Sequence, residues 1–525
     1  MTTDNMKDKN INMNIDKSMF EFAHRDGVKI HDAKFETKPV SAFKDAMKRF
    51  AKNKGSVVAA SIILVLLLFA IFAPFISENA YTDSYAKGND TTNMYYKFLL
   101  PKINGFENAG FFDGASKAEI SASTYRKYNA MEQETGRAVI IKDYGTKEID
   151  DILNSGTIHV VRVDSYAKLG MFNMTLTQAQ YADLMKWQID NNMQVIYPQV
   201  DKTKSLANDV NIWYECDLKG KPVYANMMTK ELIPAYVTTS SSSVSSDYYY
   251  DSIRIAGDDG SYVYAMISGS GSKSNFTVRV DLYNYFIYKY GEEPSFIFGT
   301  TSEGYDIFSR LANGARFSFV LAIIVAAINM VIGAVVGAVE GYYGGVVDMT
   351  AERVKDIISG IPFIVVTVLF QMHMAQKVGV IGALIYAFIL TGWVGNSSLV
   401  RTQFYRFKHQ EYVMASRTLG ANDFRLITKH IFPNSLGTII TSCAFDIPGV
   451  ILSETSLSYL GIINLASSSM SSIGTMLSTG QAYLKDYPHV VLFPAIFIGL
   501  LMLSFNLFSN GLRDAFNPQL RGSEG

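Results

Sequence analysis

Apolar positions in this chain gather into runs too long for soluble cores, separated by one large polar block. The clearest run, Ser56 to Ile76, holds 21 consecutive residues without a charge. At 1.5 Å per residue it reaches about 31 Å, enough to cross a hydrocarbon core of ~30 Å. A cleavable signal peptide is the competing reading. It fits poorly, because the run begins 55 residues in and exceeds the usual length of such a segment. Five further runs follow close together: Phe317–Val339, Ile357–Ala375, Val378–Val400, Ser435–Ile462 and Val490–Ser509. Six spans put both termini on one side of the membrane.

Lys and Arg decide which side. Lys44, Lys48, Arg49, Lys52 and Lys54 precede the first span, and the segment 401–434 adds Arg401, Arg406, Lys408, Arg417, Arg425 and Lys429. The short loops opposite carry only Lys377 and Lys485. Positive residues stay inside, so the N-terminal tail, the 340–356 and 401–434 loops and the C-terminus are expected in the cytoplasm. The polar block then lies outside.

That block is long enough for a domain with its own core. Thr157–Val163 and Phe276–Tyr288 read as strands, and Thr177–Met193 has helical spacing through Tyr181, Leu184, Met185 and Ile189. The Ser/Tyr-rich segment Thr238–Tyr250 reads as an exposed loop. The expected architecture is an α-helical polytopic membrane protein of six transmembrane helices, with an α+β extracytoplasmic domain between the first and second spans. Its parts are a cytoplasmic tail (1–55), the first span (56–76), the outer domain (77–298), a five-helix core (299–510) and a cytoplasmic tail (511–525). The tail to about Lys38 is polar enough for disorder. Val40, Phe43, Met47 and Phe50 then recur at helical spacing among basic residues, as a helix on the inner leaflet or as a solvated helix that orients the first span.

Composition sharpens this picture in two ways. Charged residues make up 18% of the 525 and the net charge is −1, so nothing global points to nucleic acid. The two cysteines, Cys216 and Cys443, fall in regions assigned to opposite sides, which argues against a disulfide framework or a Cys-based zinc site.

The segment between the fourth and fifth spans carries the functional signal. It runs Glu411-Tyr-Val-Met-Ala-Ser-Arg-Thr-Leu-Gly420-Ala-Asn-Asp-Phe-Arg-Leu-Ile-Thr-Lys-His430-Ile-Phe-Pro433-Asn434. Residues 411–419 favour a helix and Gly420 can end it in the left-handed region. Asn422 can cap a second helix reaching Ile431, where Pro433 is expected to break it, and Asn434 or Ser435 can cap the fifth span. Small residues at Ala415, Ser416, Gly420 and Ala421 keep the elbow thin enough to sit in a groove on a partner.

This run resembles the EAA loop of permease subunits of binding-protein-dependent ABC importers, and more narrowly the C-type subunit of oligopeptide and dipeptide permeases. Gly299-Thr300-Thr301, Gly304-Tyr-Asp306-Ile-Phe-Ser309-Arg310 and Gly314-Ala315-Arg316 match the family's stretch before the second span. Gly341-Tyr-Tyr-Gly344-Gly345-Val-Val-Asp348, with Arg353, Asp356 and Pro362, matches its second cytoplasmic loop. Glu454-Thr-Ser-Leu457-Ser458-Tyr459-Leu460-Gly461, and Asn506 with Gly511-Leu512-Arg513-Asp514, match the last two spans and the tail. The resemblance covers the first span and about 299–518. Met414 stands at the motif's Glu, Ser416 at its second Ala and Ser509-Asn510 at a usual Gly-Asp; the long outer insertion lies outside the resemblance.

The resemblance implies a non-enzymatic subunit forming half of a heterodimeric pore in the bacterial cell membrane. Its implied partners are a second permease subunit, two ABC ATPases that bind ATP and Mg, an extracytoplasmic substrate-binding protein and peptide cargo. No cofactor is expected in the chain itself. The nearest approach to a P-loop, Gly269-Ser-Gly271-Ser-Lys273-Ser274, lacks the adjacent Gly-Lys and reads as a loop. Glu411, Tyr412, Ala415, Ser416, Gly420 and Ala421 are the expected ATPase-coupling residues, with Gly420 as pivot. Asp446 and Glu454 sit two helical turns apart in the fifth span and are expected near one face, and a charge at mid-bilayer costs roughly 2.5–3.5 kcal/mol, so neither should face lipid. Pore lining, a subunit contact or packing against polar groups in the bundle remain open for Asp446; the match favours an inter-span role for Glu454, and Asn506 joins the pore or interface set. His373 has no second His at helical spacing, so an interfacial place suits it better than a metal. Pro362 and Pro448 are expected to kink their spans. An importer of another small solute, such as a nickel chelate, is the alternative. An ion-coupled secondary transporter would require an internal repeat, and none is visible. A receptor would need a signalling module, which sixteen residues after Ser509 do not supply.

Overall fold

The computed structural model describes residues 42–76, 92–106, 110–151, 154–199, 224–228, 231–232, 255, 257, 259–269, 271, 274–463 and 471–516. The tail to Lys38, Val40, Cys216 and the Thr238–Tyr250 segment fall outside them. Helix α1 (Ala42–Lys52) leads directly into α2 (Lys54–Ile76), and Phe50 of α1 meets Phe508 edge-on, ring centroids 5.5 Å apart.

The insert is α+β. Strand β1 (Ala115–Ser121), helix α3 (Ala122–Thr135), β2 (Ile140–Asp151) and β3 (Asn154–Asp164) form an antiparallel sheet of order β1-β3-β2. Strand β4 (Met171–Thr177), helix α4 (Gln178–Asp190), β5 (Ile196–Tyr197), the small hairpin β6 (Tyr224–Asn226) and β7 (Glu231–Leu232), β8 (Ala265–Ser268), β9 (Asn275–Asp281) and helix α5 (Leu282–Tyr290) follow. Strand β9 pairs antiparallel with β4, β5 and β8, and its Val278 and Val280 pack on Leu184 of α4 in a buried core. Helix α4 starts at a capping box, Thr177 with Gln180, which supplies partners for its orphan N–H groups. The strand expected over Phe276–Tyr288 ends early. Asp281 accepts a bond from the Asn284 N–H and caps α5, so the aromatic residues after it are helical. Two ion pairs stitch the sheets together. Buried Arg279 makes a bidentate contact at 2.8 Å with Glu134 of α3, and Arg137 reaches buried Asp281 at 3.0 Å.

The remaining helices are α6 (Ile307–Tyr343), α7 (Gly345–Ser359), α8 (Phe363–Phe407), α9 (Glu411–Thr418), α10 (Phe432–Tyr459), α11 (Ile473–Gln481) and α12 (His489–Phe516). Among the described residues five helices are long and apolar enough to cross a membrane: α2, α6, α8, the helical run ending in α10, and α12. Their shared core includes Leu66 of α2, Phe319 of α6, Phe388 of α8, Ile451 of α10 and Phe505 of α12.

Three features differ from the sequence reading. The runs expected as separate spans, Ile357–Ala375 and Val378–Val400, join from Phe363 onward as one element of 45 residues, interrupted where Gly379 leaves helical geometry at φ 78°, ψ 163°, while residues 357–359 close α7. Pro362 occupies the N-cap position of α8 and so precedes the span it was expected to kink, whereas Pro448 does lie inside α10. Pro433 ends nothing. It sits in the first turn of α10, where a missing N–H is tolerated, and the chain arrives there through a π-helical segment, Leu426–Ile431.

Helices α6 and α8 approach closely along a row of glycines spaced four apart. A Cβ placed on Gly333, Gly337 or Gly341 would lie 2.6, 2.3 and 2.5 Å from Asn396 Cβ, Ser397 O and Phe404 Cβ respectively. Side chains that small let two backbones touch, which is how helices associate where no hydrophobic driving force separates them from lipid.

Candidate functional site: a helical elbow braced against the α6 terminus

Helix α9 is one short stretch whose buried residue, Val413, anchors it to Leu426, Phe404, Val400 and Tyr342. Its end is a Schellman motif. The Gly420 N–H donates to Arg417 O at 3.0 Å and the Ala421 N–H to Ser416 O at 3.1 Å, with Gly420 at φ 86°. Asn422 Oδ1 then accepts from the Arg425 N–H at 2.9 Å and starts a single turn, Asp423–Arg425, that passes into the π segment. Asn434 and Ser435 do not cap α10. Asn434 Nδ2 donates to His430 O at 2.7 Å and to Tyr412 Oη at 3.3 Å, and Ser435 Oγ donates to Ile431 O at 3.1 Å.

The structure brings the expected coupling residues together on this elbow. Glu411 is exposed in the first turn of α9, where an acidic group suits the helix dipole. Ala415 and Gly420 are exposed, and Ser416 and Ala421 are half-buried, with Ser416 Oγ donating to Tyr412 O at 2.9 Å. Sequence reasoning missed the elbow's apolar tip. Leu419 is 89% exposed and Phe424 75%, one on each side of Gly420. Two large apolar side chains thus stand exposed on one capped turn.

Behind the elbow lies a buried ionic cluster. Lys355 Nζ of α7 donates to Glu340 Oε2 of α6 at 2.7 Å, to Glu352 Oε1 at 2.6 Å and to Ser398 Oγ of α8 at 3.2 Å. Arg401 grips Asp348 with two N–H groups, Tyr405 donates to the same carboxylate at 2.7 Å, and Arg401 holds the Asp348 carboxyl down at about 2. Glu340, Asp348 and Glu352 are close enough together to suggest a metal site, but the Lys355 ammonium already lies between Glu340 and Glu352 where a cation would sit. The cluster is a structural ion network. Asp348 belongs to a motif noted from sequence; Glu340 and Lys355 gave no signal because their pairing spans three helices.

The intramembrane candidates separate. Glu454 is fully buried, accepting from Ser318 Oγ of α6 and Ser458 Oγ, each at 2.9 Å. Asp446 is half-buried and accepts from Asn396 Nδ2 of α8 at 2.7 Å, and Ser442 Oγ donates to Asn396 Oδ1 at 3.2 Å. Eight residues on a helix leave about 80° between them, so each faces a different neighbour. Asn506 is exposed on α12, and His373 is exposed with Nδ1 2.9 Å from Leu369 O.

Long apolar helices packed through glycines, with a capped helical elbow between two of them, are the build of a polytopic membrane protein. The profile described as "Binding-protein-dependent transport system inner membrane component" matches residues 329–522, and that of the "N-terminal TM domain of oligopeptide transport permease C" matches 41–101. The chain is 38% identical over 225 residues, 43% of its length and 69% of the relative's, to the "Dipeptide transport system permease protein DppC" of Bacillus subtilis. It is 39% identical over 224 residues, again 43% of its length and 72% of the relative's, to the "Oligopeptide transport system permease protein OppC" of the same organism. The chain belongs to the family of binding-protein-dependent transport system inner membrane components. A solved structure described as "Inward facing conformations of the MetNI methionine ABC transporter: CY5 native crystal form" matches 39% of this chain and 96% of its own at 17% identity and TM-score 0.31.

Proposed function

We propose that this chain is one permease half of an ATP-driven importer for oligopeptides or dipeptides, working with a second permease subunit, two ABC ATPases and a substrate-binding protein. The observation that carries this is the likeness to the dipeptide and oligopeptide permeases over 69% and 72% of their lengths, together with an elbow that is rigid, capped and apolar at its tip. ATP and Mg belong to the partner ATPases in this reading. Closure of those ATPases pushes the elbow, with Gly420 as pivot and Glu411, Tyr412, Ala415, Ser416 and Ala421 at the contact, and Leu419 and Phe424 as the apolar anchors. Six crossings suit the chain better than five. At 45 residues α8 would extend about 67 Å, more than twice the hydrocarbon thickness, so a return at Gly379 divides it into two spans. With six crossings and positive residues inside, the termini and elbow are cytoplasmic and the 77–298 insert is extracytoplasmic. Asp446 and Asn506 are proposed to face the pore or the second permease, and Glu454 to tie α10 to α6.

The test is reconstitution of the chain with its four partners in liposomes. Labelled dipeptide and hexapeptide should accumulate only with ATP and binding protein. Uptake driven by a proton or sodium gradient without ATP would reverse the reading. A nickel-chelate arm distinguishes the other-solute alternative.

A further inference from the structure

The elbow is covalently continuous with α10, so α10 is the obvious recipient of its motion. Among the described residues a single exposed bond joins it to the elbow directly, Asn434 Nδ2 to Tyr412 Oη at 3.3 Å, whereas the contacts to α6 are more numerous and less exposed. Along the chain, between elbow and α10, lies the π-helical segment Leu426–Ile431, a break in the α-helical hydrogen-bond register of the kind found at functional sites. Between elbow and α6 lies a direct polar clamp. Buried Tyr342, in the last turn of α6, donates its hydroxyl to Asp423 of the elbow and accepts from Arg417 Nη2 at 3.1 Å. Arg417 precedes the Gly420 turn and Asp423 follows it, so one phenol holds both arms. Lys408 Nζ fixes the same terminus by donating to Gly341 O at 3.0 Å and to Tyr342 O at 3.5 Å. Two residues further in, Glu340 enters the ion cluster with Lys355, and Gly341, Gly337 and Gly333 lock α6 onto α8 at backbone contact.

We infer that Tyr342 is a positioning residue that ties the elbow to the α6–α8 pair, so that elbow movement drives α6 and α8 as one body while the π segment lets α10 follow separately. The inference rests on the importer reading for its biological meaning, but its structural content, a fixed elbow–α6 distance, is measured without cargo.

Two measurements test it on the reconstituted full complex. In the first, Tyr342→Phe keeps the buried ring and removes the hydroxyl. ATP hydrolysis should stay within about twofold of wild type while labelled hexapeptide imported per ATP falls about tenfold, the scale of a lost hydrogen bond to a charged group. Asp423→Ala should lower the same ratio, and the double variant should do no worse than the poorer single. An unchanged ratio, a parallel fall in import and hydrolysis, or additive losses would overturn the proposal. In the second, with Cys216 and Cys443 replaced by Ser, spin labels at positions 418 and 335 report the elbow–α6 distance. It should be the same in nucleotide-free and ATP-trapped wild-type complexes and should shift between them in Tyr342→Phe. A nucleotide-dependent shift in wild type would sink the inference even if peptide import is normal; an inert wild type with a fixed distance would instead remove the importer reading and leave the clamp standing.

Discussion

Adding a single methyl group at Gly337 separates the packing account of α6 and α8 from a propensity account. In an α-helix interior Gly→Ala is worth about 1 kcal/mol of stabilisation by propensity alone. At Gly337 the new Cβ would lie 2.3 Å from Ser397 O, 2.9 Å from Val400 Cβ and 3.0 Å from Arg401 N. Two of those atoms are backbone, so no rotamer change relieves the overlap. The helices must part by ~1 Å to restore ordinary separation, and overpacking of that kind costs about 1–3 kcal/mol. Parting them also lengthens the bond from Ser397 Oγ to Glu340, which the low-dielectric interior makes expensive. The net expectation is a loss of about 1–2 kcal/mol, seen as a melting midpoint lowered by about 1–2 °C in the detergent-purified protein. Gly499 of α12 is the control, because a Cβ there meets nothing within 4 Å, and Gly499→Ala should be neutral or mildly stabilising. If Gly337→Ala melts at or above Gly499→Ala, the close approach does not exist as described.

The other predictions concern charge, backbone and pH. Lys355 is 2% exposed beside Glu340 at 1%, so Lys355→Met strands a buried carboxylate and should cost about 3–5 kcal/mol in thermal unfolding, most of it recovered by adding Glu340→Gln. Gly420→Val forces a β-branched residue to φ 86° in otherwise open space, so it should leave the protein assembled but uncouple peptide uptake from ATP hydrolysis, whereas Gly420→Asn, which tolerates that region, should retain most uptake. Asp306 caps α6, and burial pushes its carboxyl up to about 6 despite bonds from the Phe308 and Ser309 N–H groups. The folded chain therefore holds this proton more tightly than the unfolded one. Its contribution is fully present below about pH 4 and is lost as pH rises to about 6, so Asp306→Asn should flatten that part of the melting profile and an unaltered slope would contradict it.

What could be read from the sequence was what depends on local pattern. Uninterrupted apolar runs gave the long helices, and the left-handed glycine and Asn422 gave both turns of the elbow because each cap is decided by residues within four positions. The misreadings share one cause: a breaker was judged by residue type without its place in the turn. Pro362 and Pro433 were expected to bend or stop helices, but each stands at a helix start, where proline costs nothing. Alternation through Phe276–Tyr288 ran past Asp281 because aromatic residues suit strands and amphipathic helices alike, and only the cap reveals the change. The clamp at Tyr342 and the cluster at Lys355 were invisible for a different reason. Their partners lie 81 and 15 to 43 residues away, and pairing at such separations is set by helix packing, for which a single sequence offers no periodic signal.

The same dependence on packing explains how a large α+β insert can sit between the first two long helices without disturbing them. Its two ends leave the core at one place. Phe98 N donates to Thr301 O at 3.2 Å, Thr300 N to Leu99 O at 2.9 Å, and Thr300 Oγ1 to Tyr96 O at 2.6 Å, so residues 96–99 and 300–301 are already bridged. Gly299 makes that bridge possible: at φ 77° a Cβ would lie 2.3 Å from Leu99 O. With the ends held together, the cost of closing the loop grows only as the logarithm of whatever lies between them, each doubling of length adding about 0.6 kcal/mol. Aromatic rings then fasten the junction to α12 and the segment before it, Phe98 stacking on Tyr487 at 4.1 Å and Phe298 on Phe493 at 4.2 Å. At the other end of α12, Gly511 gives way to Ser56 of α2, whose Oγ lies where a Cβ would be. Helix α12 is therefore pinned to the insert at its start and to the first span at its end. The start of α6 shares the same anchor, for the Ile307 N–H donates to Gly299 O at 3.0 Å and Phe298 meets Phe308 at 5.3 Å, so the insert is seated on α6 and α12 together.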